Sequence, residues 1–135
     1  MNITRGPIKT GKGPADRFIG DVYVETVAVP TGPSSLGAAL VRFAPGAHTA
    51  WHKHPLGQML YVLEGEGLVQ RRGGPVEVIR PGDRIWTEPN EEHWHGATAT
   101  SFMAHMALQQ YDAQGIAAHW GEHVTDAEYS AAPGR

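Results

Sequence analysis

The sequence predicts an all-β sandwich or small barrel, and three observations carry that prediction. Strand-forming runs are short and punctuated by glycine, proline or asparagine at intervals of roughly 8 to 12 residues. The 17 glycines and 10 prolines suit many tight turns better than long helices. A helix signal occurs only beyond residue 111. A chain of 135 residues is sized for one domain with one hydrophobic core.

Taken in order, residues 1–21 read as an irregular arm broken by Gly6, Pro7, Gly11, Gly13 and Pro14. The barrel is expected over 22–111. Strand formers run from Val22 to Val29, and Pro30 to Ser35 are turn-like. "LGAALVRF" is a strand closed by Pro45 and Gly46, and "HTAWHKH" follows it in extended form. "QMLYVLEG" is strongly β-forming and stops at Gly65. "GLVQRRGGPVEVI" reads as a hairpin with Gly73-Gly74 at its tip. After the "PGD" turn, "RIWTE" is a strand, "PNEEH" turns, and "HWHGATATSFMAHMALQQ" supplies one or two more strands. In the tail, 112–135, Thr125 with Glu128 three residues on forms a capping-box pattern for a short helix.

Bulk properties exclude several function classes. A formal net charge of -3, with Arg71-Arg72 as the one adjacent basic pair, gives no reason to expect nucleic acid or an anionic membrane as partner. No apolar run approaches the length of a membrane span, and the first residues lack an apolar leader core, so a cytoplasmic setting is the expectation. Without cysteine there is neither disulfide nor thiolate chemistry.

Histidine is the conspicuous residue. Six of the eight lie between His48 and His105. In an extended segment His48, His52 and His54 share one parity and hence one face, and His93 could join them from a distant strand. Neutral imidazoles favour Mn, Fe, Ni, Cu or Zn over Ca and Mg. The residues alone leave open the plainer reading of surface or hydrogen-bonded core histidines.

Gly46, His52, His54, Gln58 and Gly65 stand at the spacing of the first cupin motif, with glutamine in place of its glutamate. Gly82 and His93 fit the second motif, with Asn90 at its inner glycine, Pro89 one place late and Ala97 at its terminal asparagine. The chain therefore resembles a small single-domain cupin, which implies a double-stranded β-helix, the jelly-roll barrel. "GKGPADRF", "TAWHKHPLGQ", "VQRRGGPVEVIRPGD", "EEHWHGA", "MAHMALQ" and "EHVTD" are similar to the bacterial manganese-dependent cupin hydroxynitrile lyases. That resemblance implies metal ligation by His52, His54, Gln58 and His93, and catalysis by His105. It places Ala39, Val41 and Gln109 in the substrate pocket. It also implies manganese as the divalent metal, with Fe, Zn or Ni able to accept the same ligands, and a homodimer or homotetramer. Lys53 and His48 are departures from the group.

Glutamine in a metal site has a chemical consequence. Three imidazoles and an amide leave the full +2 charge on a divalent ion, making it a stronger Lewis acid toward oxygen and favouring polar over redox chemistry. The expected reaction is cleavage of a cyanohydrin such as mandelonitrile to an aldehyde and cyanide, with His105, titrating near its ordinary pKa, as general base. A metal-dependent oxygenase or isomerase and a non-catalytic small-molecule binder are the competing classes. In "FMAHMALQ" alternation sets Met103, His105, Ala107 and Gln109 on one face, so Met103 joins the pocket set; His95, of the same parity as His93, is a further pocket contact. Trp51 and Trp94 are expected to pack between sheets or subunits. His119 and His123, four apart, could mimic a helical metal pair. Phe18, Trp120 and Tyr129 suggest that arm and tail pack on the barrel.

Overall fold

The structure, a computed structural model, describes residues 1–131. The last four residues of the expected tail, 132–135, lie outside the described residues. Among the described residues thirteen strands and one short helix follow one another: β1 (Thr10–Lys12), β2 (Phe18–Ile19), β3 (Val22–Ala28), β4 (Leu36–Phe43), β5 (His48–Thr49), β6 (His52–Lys53), β7 (Gln58–Gly65), β8 (Gly67–Arg71), β9 (Glu77–Ile79), β10 (Arg84–Thr87), β11 (His93–Ala97), β12 (Met103–Gln110), β13 (His119–Trp120) and α1 (Asp126–Ser130). Among the described residues no helix is long and apolar enough to cross a membrane.

The strands form two antiparallel sheets. The first has the order β1-β3-β4-β12-β7-β10. In the second, β8 and then β9 lie on one side of β11, while β6 and β5 pair with its other side and are extended by β13 and β2. This is the jelly-roll arrangement, and in the longer strands alternation of inward apolar and outward residues fixes the register. In β7, for example, Leu60 and Val62 are buried whereas Tyr61 and Leu63 are exposed.

Two apolar clusters hold the sheets. Val22, Val41, Phe43, Val62, Ile79, Ala97 and Met103 fill the barrel interior at one end. Each large member contributes roughly 1.5–3 kcal/mol by leaving water. On the outer face of the second sheet, Trp51, Leu68 and Trp94 pack against Val124 and Tyr129 from the tail. Trp51 and Trp94 thus pack, but beneath the tail and not between the two sheets as expected. Gly65, at a left-handed φ of 77°, ends β7, and a Cβ there would collide with the Phe102 carbonyl.

The arm is more ordered than its glycines and prolines suggest. β1 extends the first sheet beside β3, and β2 extends the second beside β5. Each is too short to show periodicity; its backbone pairing with a distant strand is what makes it a strand. The tail holds the expected capping box: the Glu128 amide donates to Thr125 Oγ1 at 3.1 Å, and the Thr125 amide donates to Glu128 Oε1 at 2.9 Å. The proposed helical metal pair is corrected. His119 lies in β13, exposed, and His123 Nε2 donates to the Ala15 carbonyl at 2.9 Å, tying tail to arm.

Candidate metal centre and its cavity

Register brings the histidines together. His52 on β6 lies directly opposite His93 on β11, and their ring centroids are 4.3 Å apart. His54 follows His52 around the turn, with its ring 5.1 Å from His52 and 5.3 Å from His93. Gln58 begins β7 and is 4% exposed. Asn90 holds the left-handed angle anticipated for it, φ 62°, and its amide donates to the His54 carbonyl at 2.8 Å.

The tautomers follow from the hydrogen bonds. His52 Nδ1 donates to the Ala50 carbonyl at 2.9 Å, His93 Nδ1 to the Glu91 carbonyl at 3.0 Å, and His54 Nδ1 to the Ala117 carbonyl at 2.9 Å. With each proton committed to Nδ1, each Nε2 presents a lone pair. The buried Nε2 of His54 has no hydrogen-bond partner. Gln58 Nε2 donates to Gln109 Oε1 at 3.2 Å, which turns Gln58 Oε1 toward the histidines, 3.4 Å from His93 Nε2. Neither of those two atoms then has a proton to give the other. A cation would satisfy both, so the donor set fits a divalent metal.

Burial reinforces the point. Desolvation, with repulsion from His93 and His54 next, pushes the pKa of His52 well below the usual 6.5. Desolvation takes His93 down to about 4 and lowers His54 as well. All three imidazoles are neutral at neutral pH.

His52, His93 and His95 also form a trio whose ligand nitrogens lie within 4.8 Å of one another, so the cluster is able to hold a metal in more than one way. The two candidate sets share His52 and His93. His95 differs from His54 in its Nδ1, which lies 3.0 Å from His105 Nε2 instead of facing a carbonyl. When His105 donates that proton, neutral His95 carries its own on Nε2 and cannot ligate. His54 faces no such competition, which favours it as the third imidazole.

His105 is fully buried, 5.3 Å from the Phe43 ring, at a β-bulge where β12 passes from opposite Glu64 to opposite Val62. Burial pushes its pKa down to about 4, correcting the expectation that it titrates near its ordinary value. It is therefore a neutral proton acceptor throughout the neutral range.

His52, His54, Gln58, His95 and His105 face a cavity of about 930 Å³, whereas His93, opposite His52, lies behind its wall and lines a smaller pocket on the other side. Ala39, Val41, Ala107 and Gln109 line the larger cavity together with the first five. Met103 is corrected: it shares the face of His105 but lies deeper, in the apolar cluster with Val62 and Ile79. His48 is corrected as well. The chain crosses between β5 and β6 at Ala50-Trp51, so parity does not carry through. Thr49 faces the cavity, while the His48 ring stacks on Tyr129 at 4.4 Å on the outer side of the sheet.

Some contributors were not foreseen. Thr49 Oγ1 accepts from the His95 amide at 3.2 Å. Trp120, opposite His52 in the β13–β6 pair, stacks on its imidazole at 4.4 Å and 19°. Ala117 supplies the acceptor for His54 from 63 residues away. The aromatic character of Trp120 was the one signal of this in the sequence; a backbone carbonyl leaves none.

The cupin-domain family model matches residues 39–108. The chain is 50% identical over 130 residues to the (R)-mandelonitrile lyase of Granulicella tundricola, covering 96% of this chain and 98% of that protein. A cupin-like protein from Thermotoga maritima superposes with a TM-score of 0.85 at 36% identity, covering 92% of this chain and 94% of the other. A dimethylsulfoniopropionate lyase of Ruegeria pomeroyi is 30% identical over 58% of this chain and 38% of its own length.

Proposed function

From the premise that the chain belongs to the cupin family, we propose that it is a metal-dependent hydroxynitrile lyase that cleaves a cyanohydrin such as mandelonitrile reversibly to an aldehyde and cyanide. The observation that carries this reading is a neutral, buried base, His105, in the same cavity as the converging donors of His52, His54 and Gln58. Its agreement with the activity named for a relative 50% identical over nearly the whole length adds support.

In this reading His52, His54, His93 and Gln58 hold the divalent ion, manganese by family resemblance. Bound there, the ion would supply Lewis acidity toward a substrate oxygen, undiminished by any carboxylate ligand. His105 accepts the cyanohydrin hydroxyl proton. The oxygen's electron pair forms the carbonyl as the carbon–carbon bond to the nitrile breaks, and that bond's pair leaves with cyanide. The His105 imidazolium, an acid strengthened by burial, returns the proton to give hydrogen cyanide. His95, 3.0 Å from His105 Nε2, keeps that ring oriented. Ala39, Val41, Ala107 and Gln109 shape the space beside it.

We also assign a homodimer or homotetramer. Support comes from the outer face of the first sheet, where Tyr61, opposite Met106, and Trp86, opposite Met59, present apolar surface; Tyr61 is 44% and Trp86 49% exposed.

The test is turnover of (R)-mandelonitrile by manganese-loaded protein, its metal-stripped form, and His105→Ala. Activity should need the metal, and His105→Ala should retain metal while losing about 10²–10⁴-fold in kcat. Metal-loaded protein no faster than free manganese would overturn the lyase reading.

A further inference from the structure

The chain carries a formal net charge of -3, yet its cavity is lined by Lys9, Lys12 and Arg17 and, among the described residues, by no aspartate or glutamate. Lys12 is engaged by Asp21 at 3.2 Å. Lys9 and Arg17 have no carboxylate partner among the described residues. Both stand on anchored backbone. The Arg17 carbonyl accepts from the Ala50 amide at 2.8 Å, and the Arg17 amide donates to the Pro14 carbonyl at 3.0 Å. Lys9 immediately precedes β1, which is paired residue by residue with β3. The Arg17 guanidinium lies 5.4 Å from the centroid of Trp120, the same ring that stacks on His52. This places a free guanidinium one aromatic ring away from a proposed ligand.

The cavity therefore has three chemically distinct parts. The histidine end receives a hydroxyl or carbonyl. Apolar walls of Ala39, Val41, Ala107 and Ile116 take a hydrocarbon body. The mouth, at Lys9 and Arg17, presents positive charge that no protein acid answers. A volume of about 930 Å³ is near the upper end for pockets that enclose drug-sized ligands, and a single-ring cyanohydrin leaves much of it unfilled.

We propose that the physiological substrate of this site is an extended hydroxy or carbonyl compound with an anionic tail, a carboxylate in the simplest case, held by Lys9 and Arg17. The inference rests on the carbonyl-forming chemistry proposed above and names the class of substrate on which it acts. Arg17 offers the planar fork suited to a carboxylate, Lys9 adds a compact charge on the lining of the same cavity, and the field of both draws anions in.

The experiment compares the cyanohydrins of 3- and 4-formylbenzoate with that of benzaldehyde, in the wild-type protein and in Lys9→Gln/Arg17→Gln. One carboxylated substrate should show a kcat/KM about tenfold above the neutral one, and the double substitution should erase that ratio. The preference should also shrink as salt rises from low to physiological strength and beyond. In parallel, NMR titration compares binding of the two formylbenzoates with benzaldehyde, which needs no turnover. Tighter binding of a formylbenzoate, lost in the double variant, supports the anion site. Equal or weaker binding of both formylbenzoates in the wild type, or a preference that survives the substitutions, overturns it. Absence of turnover with every cyanohydrin would remove the lyase reading and leave the titration to decide the anion site.

Discussion

The two faces of the second sheet carry the same local device and put it to different uses. On the inner face His52 and His93 each donate Nδ1–H to the carbonyl two residues before, Ala50 and Glu91. On the outer face His48 does the same with the Gly46 carbonyl at 2.8 Å, and its buried Nε2 also lacks a hydrogen-bond partner. Inside, His93 Nε2 comes within 3.4 Å of Gln58 Oε1, and its ring lies 4.3 Å from that of His52. Outside, the His48 ring is stacked on Tyr129 and stands 5.7 Å from Trp94. Local geometry fixes a tautomer; a metal ligand arises only where several fixed lone pairs meet. Breaking each face in turn tests that distinction.

The largest effect is expected at His52 and His93, which both candidate donor sets share. His52→Ala or His93→Ala should abolish stoichiometric metal binding, measured by elemental analysis after gel filtration, whereas His48→Ala should keep the metal. On the outer face the cost is structural, about 2–3 kcal/mol in a denaturant titration, from the emptied space between Tyr129 and Trp94. Loss of metal in His48→Ala would end the comparison.

Next comes acid. His93 and His105 are neutral in the fold, with pKa values lowered to about 4 by burial, while the unfolded chain takes up their protons near 6.5. The metal-free protein should therefore lose stability as pH falls from 6.5 to 4, by up to about 3 kcal/mol for each of these two groups, and His52 and His95, also pushed well down by desolvation, add in the same direction. His48, also lowered chiefly by desolvation, adds in the same direction from the outer face. Bound metal should raise stability without flattening this slope, because it keeps the native imidazoles neutral while the unfolded chain still takes up their protons. A denaturant midpoint independent of pH between 6.5 and 4 would contradict this account.

A smaller effect is expected one layer behind the ligands. Trp120→Ala removes the ring stacked on His52 and should weaken metal affinity by roughly tenfold, as losses behind a ligand commonly do, while Trp120→Phe should restore most of it. Competition with a metal-sensitive dye reads this without turnover. The smallest belongs to the outer face again. Arg72 lies 3.9 Å over Trp51 and pairs with Glu92 and Glu122, both at 3.1 Å, so Arg72→Ala should cost roughly 1 kcal/mol in thermal unfolding with metal content unchanged.

Long strands were legible in the sequence because their own residues are β-forming and bounded by glycine or proline: Leu36–Phe43 and Gln58–Gly65 begin and end where the runs "LGAALVRF" and "QMLYVLEG" do. The Thr125/Glu128 capping box and the left-handed Asn90 were legible for the same local reason. The barrel class followed from turn spacing. What stayed hidden depends on partners far along the chain. β1, β2 and β13 are strands through pairing alone. The side to which His48 turns is set by the passage through Ala50-Trp51, which breaks an alternation that the letters keep. The bond between His95 and His105 joins two residues that could each be placed in the pocket by parity, yet parity cannot say that they touch.

The strap that brings Ala117 and Trp120 back to the barrel has a consequence for how the protein is made. His52, His54 and His93 emerge from the ribosome well before the residues that fix the His54 tautomer and brace the His52 ring. A nascent barrel can assemble its imidazoles, but their final orientation waits for the closing segment. The strap, the last part of the site to be synthesised, is thus also the part that sets the positions of the His52 and His54 rings.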